Sequence, residues 1–330
     1  MVRELSIGWN DIINAIKYHY YSMNDNEIKQ RFNSFQHYKE MFKPDSPIMG
    51  IVVSLGRYDV VMSQNVCVQF LKYTEMTMAV GSIPPLESLV TPLPYEIIED
   101  YKIENPHTLR NTLEKAKKKN KQQERLREAR KEAGLARSLV NSNQYIFYSI
   151  DIEAYEKDHS ILLEIGWSTY DSKLDQFRDQ HYINDNYRHL RNGTFVEDEK
   201  ENFSFGTSVW CSLKKALGEL RKDLDWAVKR DGGFVLVGHG FDTDLKYLQQ
   251  QKFMWPTSDG GQTLNVTESA NITILNTDIL YAASINNLHN PPSLGRTLNL
   301  FNVDTWHLHN AGNDAHYTML LLLILVGHEL

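Results

Sequence analysis

The sequence predicts an α/β protein: a mixed sheet of five strands flanked by helices, preceded by a small α+β N-terminal domain and a charged helical linker. Three observations carry this expectation. From Asn143 onward, short apolar runs of strand type alternate with helix-period stretches, and residues 107–137 form a charged run with almost no apolar stripe. The residues before that run mix both patterns and close on prolines. A chain of 330 residues has room for two domains, and contents of 42% apolar and 23% charged residues are those of a folded chain.

In residues 1–101, Trp9, Ile12, Ile13, Ile16 and Tyr20 recur at the three-and-four spacing of a helix. Two short β-branched runs, from Met49 and from Tyr58, suggest strands joined by a turn at Gly56-Arg57. Asn65–Tyr73 suggests a second helix, and the segment Ile83–Pro94 is punctuated by prolines that should end this unit. No chemical constellation is visible here, so a binding or packing role is expected.

Residues 102–142 form the linker. Leu113 to Ala133 is made of strong helix formers, with Glu and Lys/Arg at spacings of three and four. Formal charge is −4 over 1–101, +7 over 102–140 and −10 over 141–330. The positive stretch reads either as a solvated helix or as a nucleic-acid-contacting or nuclear-import segment. The acidic C-terminal part argues against broad attraction to nucleic acid, unless bound cations invert the local field.

Residues 143–330 form the third region. Tyr145–Ile150, Leu162–Tyr170 and Phe177–Ile183 predict three strands, and Val209–Lys229 a long amphipathic helix. Phe234–Gly238 and Ile272–Thr277 predict two further strands, and helices are expected near Ser293–Leu300 and Gly312–Val326. The apolar stretch Met319–Val326 falls well short of the roughly 20 residues that cross a bilayer. The N-terminus lacks a secretory pattern. Cys67 and Cys211 form no disulfide framework or zinc motif and are expected as buried thiols. The expectation is an intracellular protein, cytoplasmic or nuclear, with no membrane partner.

Three clusters carry chemistry. Asp151-Ile-Glu153 follows an apolar strand; positions i and i+2 share one face, so the two carboxylates can share a cation. A turn or cap is the plainer account, although acids buried at such a strand end are costly without metal. In Gly238-His239-Gly-Phe-Asp242-Thr-Asp244-Leu245 a strand turns into a helix, where either Asp can serve as a cap. Asp244 is assigned as the metal-facing acid and Asp242 as the cap or an outer group. Third, His309 precedes Asp314 by five positions at a helix start. A histidine with an unperturbed pKa near 6.5 can accept a proton at neutral pH, although a histidine this close to His307 and His316 is by itself more often structural. Four acids without a cysteine ligand suit Mg²⁺ or Mn²⁺. Two such cations about 4 Å apart can activate water and stabilise the leaving oxygen of a phosphodiester.

These residues resemble the DEDDh branch of the DEDD 3′-to-5′ exonucleases, which have a ribonuclease H-like fold. The resemblance covers about residues 143–328 and rests on Asp151-Ile-Glu153, on Gly238-His239 through Asp244-Leu245 to Leu248, and on His309-X-Ala311-X-X-Asp314-Ala315. Ala154 stands where many members have Thr, and Thr243 where many have Phe, with Phe241 displaced. The Phe234–Gly240 stretch and the long preceding region are also similar to a fungal family named for supporting full activity of a DEAD-box helicase in mRNA export.

The resemblance implies that Asp151, Glu153, Asp244 and Asp314 hold two divalent cations, with Asp151 bridging, and that His309 is the general base. It offers Tyr155, which can stack on a terminal base or merely pack, and His239 as substrate contacts. It implies an enzyme that removes nucleotides from the 3′ end of single-stranded nucleic acid, RNA before DNA. The alternatives are an inactive RNA-associated adaptor of a DEAD-box helicase and an editing exonuclease on DNA. Glu164-Ile-Gly166 also recurs in the family and is read as support for its strand.

Overall fold

The computed structural model describes residues 5–37, 41–42, 50–54, 58–94, 97–101, 103 and 105–328. It divides into two compact units, residues 1–125 and 126–330.

In the first unit, β1 (Leu5–Gly8) leads into α1 (Trp9–Ser22) and α2 (Asn26–His37). Then come β2 (Gly50–Ser54), β3 (Tyr58–Ser63), α3 (Gln64–Met78), α4 (Leu86–Leu89), β4 (Leu93–Pro94) and β5 (Ile97–Tyr101). The strands pair antiparallel in the order β4-β1-β3-β2-β5. The predicted periodicity of α1 is its buried face: Trp9, Ile12, Ile13, Ile16 and Tyr20 pack with Phe32, Phe35 and Phe70 from the next helices. Prolines at 84, 85, 92 and 94 do not close the unit as expected, because the chain returns as β5 and adds to the sheet edge at β2. Elements β1, α2, α4, β4 and β5 were not legible in the sequence, while the turn expected at Gly56-Arg57 lies outside the described residues.

Helix α5 (Pro106–Asn141) is one continuous helix. Up to Arg125 it belongs to the first unit, where Leu109 is buried in the core. Its last turns belong to the second: Ala136, Leu139 and Val140 are buried in that unit's core, and Glu132 accepts the Asn276 N–H at 2.9 Å. The expected linker therefore ends as a packed layer rather than a solvated connection.

The second unit continues with β6 (Ile146–Tyr155), β7 (Asp158–Asp171), β8 (Gln176–Asn184) and β9 (Val209–Cys211). There follow α6 (Leu213–Asp231), β10 (Phe234–Gly238), α7 (Asp242–Gln250), a small hairpin of β11 (Trp255–Pro256) and β12 (Gln262–Thr263), and β13 (Asn271–Asn276). Helices α8 (Thr277–Ser284), α9 (Leu294–Leu300) and α10 (Ala311–Val326) complete it. The main sheet runs β13-β10-β6-β7-β8-β9. β6, β7 and β8 pair antiparallel; β10 is parallel to β6 and β13, and β9 is parallel to β8. The sheet thus has six strands rather than five. The sixth is only three residues long, too short to leave an apolar pattern apart from the helix it precedes.

Strand alternation sets the two faces of this sheet. Tyr148, Ile150 and Ile152 of β6 pack with Leu220, Leu224 and Ala227 of α6 and Leu248 of α7. Phe147 on the other side of β6 packs with Leu139, Val140, Leu280, Met319 and Leu322. Asp151 and Glu153 continue the register of Phe147, toward the α10 layer. Strand β10 is buried throughout, as its unbroken apolar run requires. Helix α10 is buried on most of its circumference, and no helix among the described residues is long and apolar enough to cross a membrane.

Candidate active site

Three elements and one loop converge at the far end of β6. The strand carries Asp151 and Glu153, α7 contributes Asp244 from its first turn, and the start of α10 contributes Asp314. His309 lies in the loop just before α10. Asp244 Oδ1 accepts the main-chain N–H of Ile152 at 3.0 Å, so α7 is fixed to β6 between the two strand acids. The N-terminal position of α7 falls on Phe241, without a side-chain cap. Asp242 is exposed and does not take the capping role considered for it. The displaced Phe241 is buried in the core.

The main-chain N–H of His309 donates to Asp314 Oδ2 at 3.0 Å, while its imidazole Nδ1 lies 3.9 Å from Glu153 Oε1. Ligand atoms of Glu153, His309 and Asp314 all lie within 4.8 Å of one another, a set that could hold a metal ion. Burial pushes Asp151 well above the usual carboxylate range, and the charges of Asp244, Asp314 and Glu153 push it further. Glu153 is raised by burial, then by Glu164, Asp314 and Asp244. Burial lifts Asp244 and Asp314 each to about 7, against the N–H bonds that oppose it. Ionised acids that raise one another in this way repel, and a counter-charge among them would relieve that repulsion.

Two oxygens test whether a cation fits. Asp151 Oδ2 and Asp314 Oδ1 are enclosed and have no hydrogen-bond partner, although Asp151 as a residue is only half-buried. A buried carboxylate oxygen without a donor is rare in a folded protein, and a hard divalent cation bound by carboxylates would satisfy both. The residues present fit such a group.

A second layer holds these groups, and of it the sequence singled out only Glu164-Ile-Gly166, as support for its strand. Glu164 on β7 stands directly opposite Glu153. Its Oε2 accepts the Ala311 N–H at 3.2 Å and lies 2.9 Å from His181 Nε2, and His181 Nδ1 lies 2.8 Å from Ser208 Oγ. Burial raises Glu164 to about 8 and lowers His181 to about 3, so the pair carries no net charge at neutral pH. Glu164 thus does more than support its strand, because it fastens the start of α10. Gly166 permits the approach: a Cβ there would lie 2.3–2.4 Å from the backbone of Ala311 and Gly312. Asn310 caps α10 by accepting the Asn313 N–H at 3.1 Å, and Asn313 Nδ2 donates to the carbonyls of Asn202 and His307. The small and amide residues between His309 and Asp314 are therefore structural. A Glu and a Gly two apart on a strand were the available signal for this layer; the histidine and serine left none.

The remaining candidates make other contacts. Both ring nitrogens of His239 are engaged, Nδ1 with Thr277 Oγ1 at 2.9 Å and Nε2 with the Pro292 carbonyl at 3.2 Å, which ties β10 to the α8 and α9 segments. Tyr155 ends β6, half-buried, in the hairpin to β7. Cys67 and Cys211 are buried free thiols.

A mixed sheet of three antiparallel strands, extended by parallel β10 and β13 and covered on both faces by helices, is the ribonuclease H-like fold. On it the Asp-X-Glu strand, the Asp244 helix and the His309–Asp314 helix start define the DEDDh exonuclease-like class. The chain belongs to the DEDDh family described as DNA polymerase III subunit epsilon-like, C-terminal domain, which matches residues 146–325.

Among curated proteins it is similar to the uncharacterized nucleolar protein C2C4.08 of Schizosaccharomyces pombe, 32% identical over 59% of this chain and 75% of that one. In Saccharomyces cerevisiae it is similar to the uncharacterized protein YDR514C, 33% identical over 56% of this chain and 42% of that one. It is also similar to the Good for full DBP5 activity protein 2, 31% identical over 56% of this chain and 36% of that one. The match thus spans less than half the length of both budding-yeast relatives.

Proposed function

We propose that the second unit is a divalent-cation-dependent exonuclease that removes nucleotides from the 3′ end of single-stranded nucleic acid, RNA before DNA. The observation that carries this reading is the pair of enclosed, unpartnered oxygens, Asp151 Oδ2 and Asp314 Oδ1, within one cluster of raised carboxylates. Asp151, Glu153, Asp244 and Asp314 would hold two cations, Mg²⁺ or Mn²⁺. When bound, the pair would supply charge for the developing phosphorane, an acidified water and support for the leaving oxygen.

The chain's own groups have distinct tasks. His309 is exposed beside Glu153, where its imidazole can take the proton of the attacking water. Asp314 fixes the His309 backbone through the N–H it accepts. Tyr155 remains a candidate stacking contact, whereas His239, with both ring nitrogens engaged, acts as a strut. The exposed lysines of α5 between 115 and 121 suit phosphate contacts.

A second reading is an accessory of a DEAD-box RNA helicase, supported by the relative named for full DBP5 activity. The nucleolar name of another relative supports a nuclear location. Incubation of 5′-labelled single-stranded RNA and DNA with Mg²⁺ or Mn²⁺ separates the two readings. The exonuclease reading expects a descending ladder that Asp151→Ala abolishes. Retention of intact strands by the wild type, with RNA still bound, would favour the accessory role.

A further inference from the structure

Next to the acid cluster lies a cavity of about 510 Å³, lined among others by Glu153, Thr243, Tyr247, Asn192 and Phe195. Its volume is in the range of pockets that take small organic ligands, roughly 300–1,000 Å³. One wall is the segment 192–196, which has no regular secondary structure.

That wall is nevertheless held at every residue. Asn192 Nδ2 donates to the Ala154 carbonyl at 3.1 Å, and its Oδ1 accepts the Glu156 N–H at 2.9 Å. The Glu156 carboxylate then accepts the main-chain N–H groups of Gly193 at 3.3 Å, Thr194 at 3.0 Å, Phe195 at 2.8 Å and Val196 at 3.4 Å. Gly193, at φ +129°, takes a conformation that side chains rarely adopt, which helps turn the successive N–H groups toward one carboxylate. These bonds, that of Phe195 first, hold the Glu156 carboxyl down at about 2, so the clamp stays charged throughout the physiological range.

The clamped wall presents an unburied aromatic ring. Phe195 is 80% exposed, although the backbone beneath it is fixed by Glu156. A large apolar side chain kept in water on a fixed loop, at the edge of a cavity that reaches a candidate ligand of the catalytic cations, has the placement of a binding group.

Resting on the exonuclease reading above, we propose that Phe195 stacks on the nucleobase of the substrate nucleotide seated in this cavity, with Glu156 as the positioning residue that holds the ring's backbone. An aromatic face accepts any base, so the contact grips single strands without choosing their sequence. In a duplex, pairing and stacking withhold the base from the ring, and the site favours unpaired ends.

The test uses the full-length chain and single-stranded RNA and DNA carrying 2-aminopurine at the 3′ end, with Ca²⁺ in place of Mg²⁺ to suppress cleavage. Wild type should bind and quench the fluorophore, with either sugar. Phe195→Ala should lose the quenching and bind roughly 5- to 150-fold more weakly, the range for one base–aromatic stack. Phe195→Trp should restore both. In Mg²⁺, Phe195→Ala should raise KM with little change in kcat, and its melting temperature should match wild type, because the ring packs against little protein.

Wild-type quenching that persists undiminished in Phe195→Ala overturns the proposal, as does a wild type that neither binds nor quenches. Quenching that depends on Phe195 in a protein that never cleaves would instead overturn the exonuclease reading while the stacking contact stands.

Discussion

His309 and Asp314 are joined through the backbone: the N–H of His309 donates to Asp314 Oδ2 at 3.0 Å. His309 has φ +69°, the left-handed region. A non-glycine residue held there is uncommon and costs on the order of 1 kcal/mol, and histidine is among the types that accept it more readily. The bond to Asp314 holds that geometry and leaves the imidazole free beside Glu153. One acid thus serves both as a member of the cluster and as the support of the histidine.

Replacing His309 with asparagine, which tolerates the same backbone, should remove the base and leave the acids in place. Turnover of labelled RNA should fall by about 10²- to 10⁴-fold, while the Mn²⁺-induced rise in melting temperature persists. Loss of the Mn²⁺ response together with activity would show that His309 is instead a ligand in the set it forms with Glu153 and Asp314.

The acid cluster also fixes a pH dependence for the metal-free protein. Asp244 and Asp314 titrate near 7 in the fold, against about 3.9 in an unfolded chain. A carboxyl whose pKa is raised on folding contributes stability that is fully present below its unfolded pKa and is lost as pH rises through its folded pKa. Thermal melts in a chelator should therefore show a falling melting temperature between about pH 4 and pH 7, and saturating Mg²⁺ or Mn²⁺ should flatten that slope. A melting temperature that climbs over this range without metal would contradict the clustering of these acids.

Gly166→Ala should destabilise the second unit and disable the site together. The new Cβ would sit 2.3–2.4 Å from the backbone of Ala311 and Gly312, and backbone has no rotamer by which to give way. The expected loss is about 1–3 kcal/mol or more in urea denaturation, with activity reduced even at temperatures where the variant is folded, because α10 carries Asp314. A variant with wild-type stability and activity would mean that α10 does not approach β7 this closely.

Much of the second unit was legible because its elements carry strong periodic signals. The uninterrupted apolar run of β10, the amphipathic α6 and the apolar α10 each announce themselves in the order of residues. The clamp of Glu156 on residues 193–196 was not legible. It is made by main-chain N–H groups that every residue possesses, so no residue type marks it. Strand β9 and helix α2 were missed for different reasons. One is three residues long; the other mixes buried Phe32 and Phe35 with many polar residues and has a low overall hydrophobicity.

The sequence by itself determined which groups are candidates for chemistry and on which elements they lie: Asp151 and Glu153 on one strand face, Asp244 at a helix start, and His309 and Asp314 around another. These follow from local periodicity and spacing, which depend only on neighbouring residues. Only the tertiary structure decided that Asp151 Oδ2 and Asp314 Oδ1 are left without donors, that Glu164 reaches from β7 to the start of α10, and that both ring nitrogens of His239 are engaged. Burial, a missing hydrogen-bond donor and a shifted pKa belong to groups from distant parts of the chain brought within a few ångströms. They come into being when α10 closes on β6 and β7.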